Sequence, residues 1–190
     1  CYEFERFLPY QPVAEALGGV VPAMTWPELK AHPTWVLASV ARLVPELLEK
    51  VPGLDAAPAL RSEEERLRLF EALVRFLVQL STQGRLLLVF EDLHWATEST
   101  LQLVPYLARH LATSPVLLLA TFRPEAVGRG HPLQALRQEL ERGGFLASLH
   151  LDPLSLPAVE ALLAEMAGVG AAAAPLARRL YAETEGNPFF

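Results

Sequence analysis

The feature that most constrains the fold of this sequence is a run of five apolar residues that ends in two acids. Leu86 to Phe90 contain no polar residue, and Glu91 and Asp92 follow directly. Such a run is too short for an ordinary helix and does not alternate, so it predicts a parallel strand covered on both faces. Ligands bind at the carboxyl ends of strands in open α/β sheets, so the acids predict a site for a phosphate-bound metal ion. A plainer interpretation stays open, in which the acids only end the strand.

A second apolar run, Val116 to Ala120, leads into Thr121-Phe-Arg-Pro124. A helical pattern separates the two runs, and two buried strands joined by a helix form a right-handed βαβ unit with parallel strands. We therefore expect Thr121 and Arg123 at the same sheet edge as Glu91 and Asp92.

The remaining pattern is mainly helical. Ser62 and Glu65 form a capping box, which marks the start of the strongest helix. Pro45 is expected to kink or divide a helix, and Pro105 to kink another or delay its start. The predicted helices cover about residues 13–17, 34–50, 63–80, 97–111, 132–141, 155–166 and 175–183. Thr34 is the expected cap of the second of these helices, and Thr97 or Ser99 the expected cap of the fourth.

Other segments give weaker signals. Residues 1–12 suit the tail of an edge strand followed by a loop, residues 20–33 a loop, and residues 145–151 a further strand. Trp26 and Trp35 are interpreted as packing anchors. Strand signals cease after about Pro153, so we predict an α/β core over residues 1–152 and the start of a small helical subdomain over residues 153–190.

Composition excludes several classes of function. The 190 residues are 52% apolar and carry a net charge of -6, which suits a packed core and disfavours nucleic-acid binding by this segment. The single cysteine, Cys1, cannot form an internal disulfide, and the five histidines show no zinc spacing. No apolar run is long enough for a membrane span, so we expect no membrane contact and a cytoplasmic location.

Together these residues resemble the STAND-class AAA-like P-loop ATPases. The most similar branch is that of large bacterial regulators with LuxR-type output domains, together with related modules attached to cyclases and protein kinases. The resemblance implies a three-layer αβα fold with a parallel sheet, followed by the start of a C-terminal helical lid. The motifs that carry it are Leu43-Val-Pro-Glu-Leu47, Arg66-Leu-Arg-Leu-Phe-Glu-Ala-Leu73, Leu88-Val-Phe-Glu-Asp-Leu-His-Trp-Ala96, Ala120-Thr-Phe-Arg-Pro-Glu125 and Glu185-Gly-Asn-Pro-Phe-Phe190.

The resemblance also implies residue roles in binding ATP or ADP with Mg²⁺. Glu91 corresponds to the Walker B acid, which supports Mg²⁺ through water. Asp92 corresponds to the adjacent acid, which also faces the metal and positions the attacking water. Thr121 and Arg123 correspond to the sensor-1 position, where an arginine reads the γ-phosphate.

In the lid, Gly186 and Pro188 correspond to a G-x-P element that packs near the nucleotide base or ribose. Each role has a structural alternative. Arg123 can pair with a surface acid, and the Gly-Asn-Pro segment can be only a helix stop. His94 and Trp95 are interpreted as structural.

The sequence departs from the family pattern in two places. Thr97 stands where the family usually has Asp, which puts any role of that acid in doubt. G-x-x-x-x-G-K-[ST] is absent, and Lys30 and Lys50 do not follow a glycine loop. We expect that this phosphate-binding Walker A unit precedes Cys1 in a larger parent protein.

The expected function is an ATP-binding and ATP-hydrolysing regulatory switch. It would act on effector and sensor domains of the same parent chain, with possible homo-oligomerisation on activation. The isolated segment should bind nucleotide weakly and hydrolyse none measurably. One alternative is a non-catalytic interaction scaffold with a degenerate ATPase fold. Another is an origin-recognition or helicase-type AAA domain, which the acidic charge balance disfavours.

Overall fold

The computed structural model describes residues 9–58, 62–167 and 174–189. Its helices are Gln11–Val20 (α1), Trp26–Lys30 (α2), Thr34–Val40 (α3), Glu46–Lys50 (α4), Glu63–Ser81 (α5), Glu98–Leu111 (α6), Pro132–Arg142 (α7), Leu156–Ala167 (α8) and Ala174–Thr184 (α9). Its strands are Leu86–Phe90 (β1) and Val116–Ala120 (β2). Short 3₁₀ turns cover Val21–Ala23, Leu93–Trp95 and Pro124–Ala126.

The chain divides into two compact units, Cys1–Leu146 and Ala147–Phe190. The first unit contains α1 to α7 and both strands, and the second contains α8 and α9. The chain is thus of mixed α/β type. Within the described residues the sheet has two strands, so the three layers expected from the resemblance are not all present there.

The parallel strand pairing of the predicted βαβ unit is confirmed. β1 and β2 pair in parallel, with Leu86 opposite Val116 and Phe90 opposite Ala120, and α6 connects them. Pairing continues past the strands, because the Thr121 backbone N–H donates to the Phe90 carbonyl at 3.0 Å. The residues after the two strands therefore leave the sheet at one edge, as the sequence predicted.

The expectation that β1 is covered on both faces is wrong for the described chain. Leu88 and Phe90 are buried, whereas Leu87 is 59% exposed and Val89 39% exposed. Side chains alternate between the two faces of a strand, and the described helices cover only the face of Leu88 and Phe90. An uninterrupted apolar run cannot reveal which face has a neighbour.

The capping box at the start of α5 is confirmed. The Glu65 backbone N–H donates to the Ser62 hydroxyl at 3.2 Å, and the Ser62 N–H donates to the Glu65 carboxylate at 3.0 Å. The helical spacing of Leu67, Phe70, Val74 and Leu77 predicts a buried face, which is partly wrong because Leu67 is 47% exposed. The buried seam of α5 is instead formed by Leu69, Phe70, Ala72, Leu73, Phe76 and Leu77.

Several boundaries differ from the predictions. α1 begins at Gln11 and runs through Gly18 and Gly19 rather than ending there, because Val13 and Leu17 bury one face of it. Residues 21–30, predicted as loop, contain a 3₁₀ turn and α2. The strand tail predicted for residues 1–12 falls mostly outside the described residues, and residues 11 and 12 are helical.

The prolines have different effects. Pro45 was expected to kink or divide a helix, and it divides the predicted helix into α3 and α4. α3 has Pro33 rather than Thr34 at its cap position. Pro105 lies inside α6 without delaying its start at Glu98.

The start of α6 is tied to the rest of the first unit by two threonines. The Thr97 hydroxyl accepts from the Thr100 N–H at 3.2 Å, which confirms Thr97 as the cap. The fully buried Thr100 hydroxyl accepts from the Tyr10 N–H at 3.1 Å. These bonds fix the helix that follows the acidic end of β1.

Trp35 is half-buried against the core, as predicted, whereas Trp26 is 42% exposed.

Two further predictions concern a third strand and membrane spans. Residues 145–151, predicted as a strand, are not in a strand among the described residues, because a strand needs a hydrogen-bonded neighbour as well as a suitable pattern. In the part of the chain that the structure describes, no helix has the length and apolar character needed to cross a membrane.

Candidate functional site

The acidic end of β1 turns sharply at Asp92. Its backbone is left-handed, with φ 50° and ψ 48°, and the Leu93–Trp95 turn follows. The Asp92 N–H donates to the Thr121 hydroxyl at 3.1 Å, and the Leu93 N–H donates to the Thr121 carbonyl at 2.8 Å. Thr121, at the end of β2, therefore holds the turn that presents Asp92.

Asp92 faces the predicted arginine. Arg123 Nε lies 3.8 Å from Asp92 Oδ1, and the two side chains are 68% and 40% exposed. Of the predicted groups, Asp92, Thr121 and Arg123 are thus brought together at one sheet edge. The pair is open to solvent, so it can exchange for contacts with a ligand at little cost.

Glu91 is exposed beside Asp92. Among the described residues, no group of three or more His, Cys, Asp or Glu side chains is arranged to hold a metal ion. A metal held here would therefore complete its coordination with phosphate oxygens and water, as Mg²⁺ commonly does.

His94 connects the two strand ends. Its side chain is 1% exposed, and its Nδ1 accepts a hydrogen bond from the Arg123 N–H at 3.4 Å. Burial lowers the pKa of His94, and the nearby Asp92 carboxylate only partly opposes this. The ring also contacts Trp95, with centroids 4.9 Å apart. His94 is therefore structural, but its contact is with a candidate site residue.

His131 contacts the backbone of His94 next to the candidate site, and the sequence did not predict this contact. It occupies the N-cap position of α7, and its Nδ1 accepts from the Leu133 N–H at 3.1 Å. Its Nε2 lies 3.3 Å from the His94 carbonyl oxygen. A histidine directly before Pro132, at the start of a helical pattern, was the only local signal.

Gly186 and Pro188 belong to the second unit. Gly186 has φ 82°, and its carbonyl accepts from the Leu154 N–H at 2.8 Å. A Cβ at this position would collide with the Leu154 carbonyl oxygen. The segment therefore ends α9 and joins it to the residues before α8, and its predicted role near a nucleotide stays a prediction.

One cavity in the first unit has a different lining. It measures about 380 Å³ and lies among α3, α5 and residues 55–58, with Trp35, Arg42 and Arg68 on its wall. None of the predicted site residues lines it.

Comparison with known proteins agrees with the resemblance to AAA-like ATPases. Residues 1–119 match the family described as AAA ATPase domain. No curated protein and no solved structure matched the chain. The match covers more than half of the 190 residues and includes β1, Glu91 and Asp92. The chain belongs to the AAA ATPase domain family.

Proposed function

We propose that this chain is the nucleotide-binding switch module of a STAND-class regulator with a LuxR-type or similar effector. One observation carries the proposal: Arg123 lies 3.8 Å from Asp92 at the carboxyl edge of two parallel strands. An acid and a guanidinium at such an edge suit a metal-bound phosphate, since the acid faces the metal and the guanidinium binds phosphate oxygens. Membership of the AAA ATPase domain family supports ATP or ADP as the nucleotide.

The side chains have the chemistry and exposure that this assignment needs. Glu91 and Asp92 would support Mg²⁺ through water, and Mg²⁺ would neutralise phosphate charge when bound. The Asp92 carboxylate would orient the attacking water. Arg123 would leave Asp92 to contact the γ-phosphate, so its position would report whether ATP or ADP is bound. Thr121 would fix the turn, because its hydroxyl accepts from the Asp92 N–H, and the O–H of the same hydroxyl would donate to a phosphate oxygen.

The switch is proposed to act on effector and sensor domains of the same polypeptide, with homo-oligomerisation on activation. The proposed location is the cytoplasm. Slow turnover suits such a role, because a switch must remain in one nucleotide state long enough to be read.

The proposed roles are tested by ATP turnover in a protein that includes this chain and a phosphate-binding loop. Glu91→Gln and Asp92→Asn should each lower kcat by at least about tenfold, because Glu91 would support the metal ion and Asp92 would orient the attacking water. Glu64→Gln, at an exposed acid in the first turn of α5, is the matched control. Normal turnover in both site variants would reject the assigned roles.

The 190-residue chain allows a separate binding test. Because it lacks the glycine loop, we expect a dissociation constant for MgATP of about 1 mM or weaker. In ¹⁵N spectra, the Asp92 and Arg123 amide signals should move with MgATP, and Asp92→Asn should reduce the movement. Signals that stay fixed at several millimolar MgATP would count against nucleotide binding by these residues.

A second candidate is a non-catalytic interaction scaffold, which the exposed face of the sheet favours. Leu87, Val89, Leu117 and Leu119 are between 39% and 63% exposed and lie on one face. Exposed apolar patches are typical of interaction surfaces. Partner binding that is lost in Leu117→Ser, but is indifferent to nucleotide and to Asp92→Asn, would favour the scaffold. A salt-sensitive affinity for DNA would instead support the nucleic-acid alternative.

A further inference from the structure

The hydrogen bond to His94 fixes the proton on its ring. A backbone N–H can only donate, so the Nδ1 that receives the Arg123 N–H at 3.4 Å must carry a lone pair. This contact places the His94 proton on Nε2, which is buried and has no hydrogen-bond partner among the described residues. Its Nδ1 also lies 3.8 Å from Asp92 Oδ1, but a neutral ring makes no ion pair there.

The same reasoning fixes the proton of His131. Its Nδ1 receives the Leu133 N–H, so its proton also lies on Nε2. That Nε2 lies 3.3 Å from the His94 carbonyl oxygen and can donate to it. Both bonds of His131 require the same tautomer, so they support each other.

These contacts form a continuous connection across three segments. The first turn of α7 holds His131, His131 holds the backbone of His94, and the His94 ring holds the backbone of Arg123. The Arg123–Asp92 pair at the end of this connection is exposed, and exposed pairs are too weak to fix an arginine by themselves. The backbone contact from a buried ring is better suited to set the direction from which Arg123 approaches Asp92.

We propose that His94 and His131 are positioning residues for the candidate site, coupling the start of α7 to Arg123 through two imidazole rings that each accept a backbone N–H at Nδ1. The proposal rests on the proposed function for its purpose, but the coupling can be measured without nucleotide. Through these contacts, a displacement of α7 changes the placement of Arg123. A change at the candidate site is coupled to α7 in the same way.

The tautomers are measured first, in the unmodified chain. Long-range ¹H–¹⁵N spectra at pH 8 should show the Nε2–H pattern for His94 and His131. His110 is an internal control with the opposite expectation, because its Nδ1 lies 2.8 Å from the Tyr106 carbonyl and must donate. An Nδ1–H pattern at either His94 or His131 would overturn the proposal, whatever the outcome of the nucleotide tests.

Variants then separate positioning from a general effect on folding. The side chain of His94→Asn places an acceptor near the Nδ1 position, whereas that of His94→Gln places its amide near Nε2. Amide exchange of Arg123 should stay slow in His94→Asn and accelerate about fivefold in His94→Gln. Equal exchange of this amide in both variants would show that the ring acts only by filling space.

His131→Asn tests the second contact. Asn is a good N-cap, so it should keep α7 intact, but its shorter side chain cannot reach the His94 carbonyl. We expect the Asp92 and Arg123 amide signals to shift while signals from the body of α7 stay in place. Shifts confined to α7 would mean that His131 is only a helix cap and would overturn its positioning role.

Discussion

The hydroxyl of Thr121 accepts the backbone N–H of Asp92 at 3.1 Å, so the end of one strand holds the turn at the end of the other. The Thr121 carbonyl adds a bond from the Leu93 N–H, and its own N–H pairs with Phe90. Thr121 thus continues the sheet by one residue and stabilises the turn. The position that the family resemblance assigns to nucleotide sensing also has a structural role in this chain.

Replacing Thr121 with Val should remove the hydroxyl and leave the Asp92 N–H without this partner. We expect the free energy of unfolding in urea to fall by about 0.5–1.5 kcal/mol, the usual net value of one hydrogen bond. Thr121→Ser keeps the hydroxyl and is the matched control. Equal stability of the Val and Ser variants would show that the bond contributes nothing.

The left-handed backbone of Asp92 gives a second prediction. Asp and Asn tolerate this conformation, whereas other residues with a Cβ lose about 1–2 kcal/mol there. Asp92→Ala should therefore destabilise the chain by about 1 kcal/mol in urea unfolding, and Asp92→Asn should be nearly neutral. An Asn variant as unstable as the Ala variant would point to the carboxylate charge rather than the backbone.

Features that depend on neighbouring residues were predicted well from the sequence. The bounds of β1 agree because polar residues flank an apolar run, and the Ser62–Glu65 box was confirmed because it is completed within one turn. The co-location of Asp92 with Arg123 followed from βαβ topology alone. The end of β1 and the co-location of Asp92 with Arg123 define most of the candidate site, whereas the Ser62–Glu65 box lies outside it.

Features that depend on distant contacts were not predicted. Residues 145–151 have a strand-like pattern, but pairing is non-local and no local signal reports a missing neighbour. Leu67 fits the period of α5, yet the buried seam lies on the side of Leu69 and Leu73, where other helices pack. His131 was missed because its contact with His94 joins residues 37 positions apart.

His32 predicts how stability depends on pH. It is 5% exposed and stacks on Phe76 with centroids 4.4 Å apart, and burial lowers its pKa below the ordinary value of 6.5. The unfolded chain therefore takes up a proton first as the pH falls. The neutral His32 ring makes its full contribution to the free energy of unfolding above about pH 7.5. This contribution is lost progressively below about pH 6.5, by at most about 1.4 kcal/mol per pH unit.

The measurement is urea unfolding of wild type and His32→Leu between pH 5.5 and 8. The variant should show a smaller loss of stability at the acidic end, with a residual loss from His94, whose pKa burial also lowers. His150→Gln, at an exposed histidine, is the matched control. Identical pH profiles of wild type and His32→Leu would show that the His32 ring is not protonated differently on unfolding.

Gly186 and Glu185 both have positive φ in the same turn, so substitutions at the two positions can be compared directly. Gly186→Ala should break the close approach to Leu154, because the new Cβ would collide with the Leu154 carbonyl oxygen. Glu185→Gly should relieve the cost of a left-handed non-glycine residue and leave the turn equally or more stable. The readout is amide exchange of Leu154, whose N–H donates to Gly186. Exchange should accelerate more than fivefold in Gly186→Ala and stay equal or slow down in Glu185→Gly. Unchanged exchange in Gly186→Ala would show that the turn does not require glycine, and the nucleotide role predicted for this residue would then become the better reason for its presence.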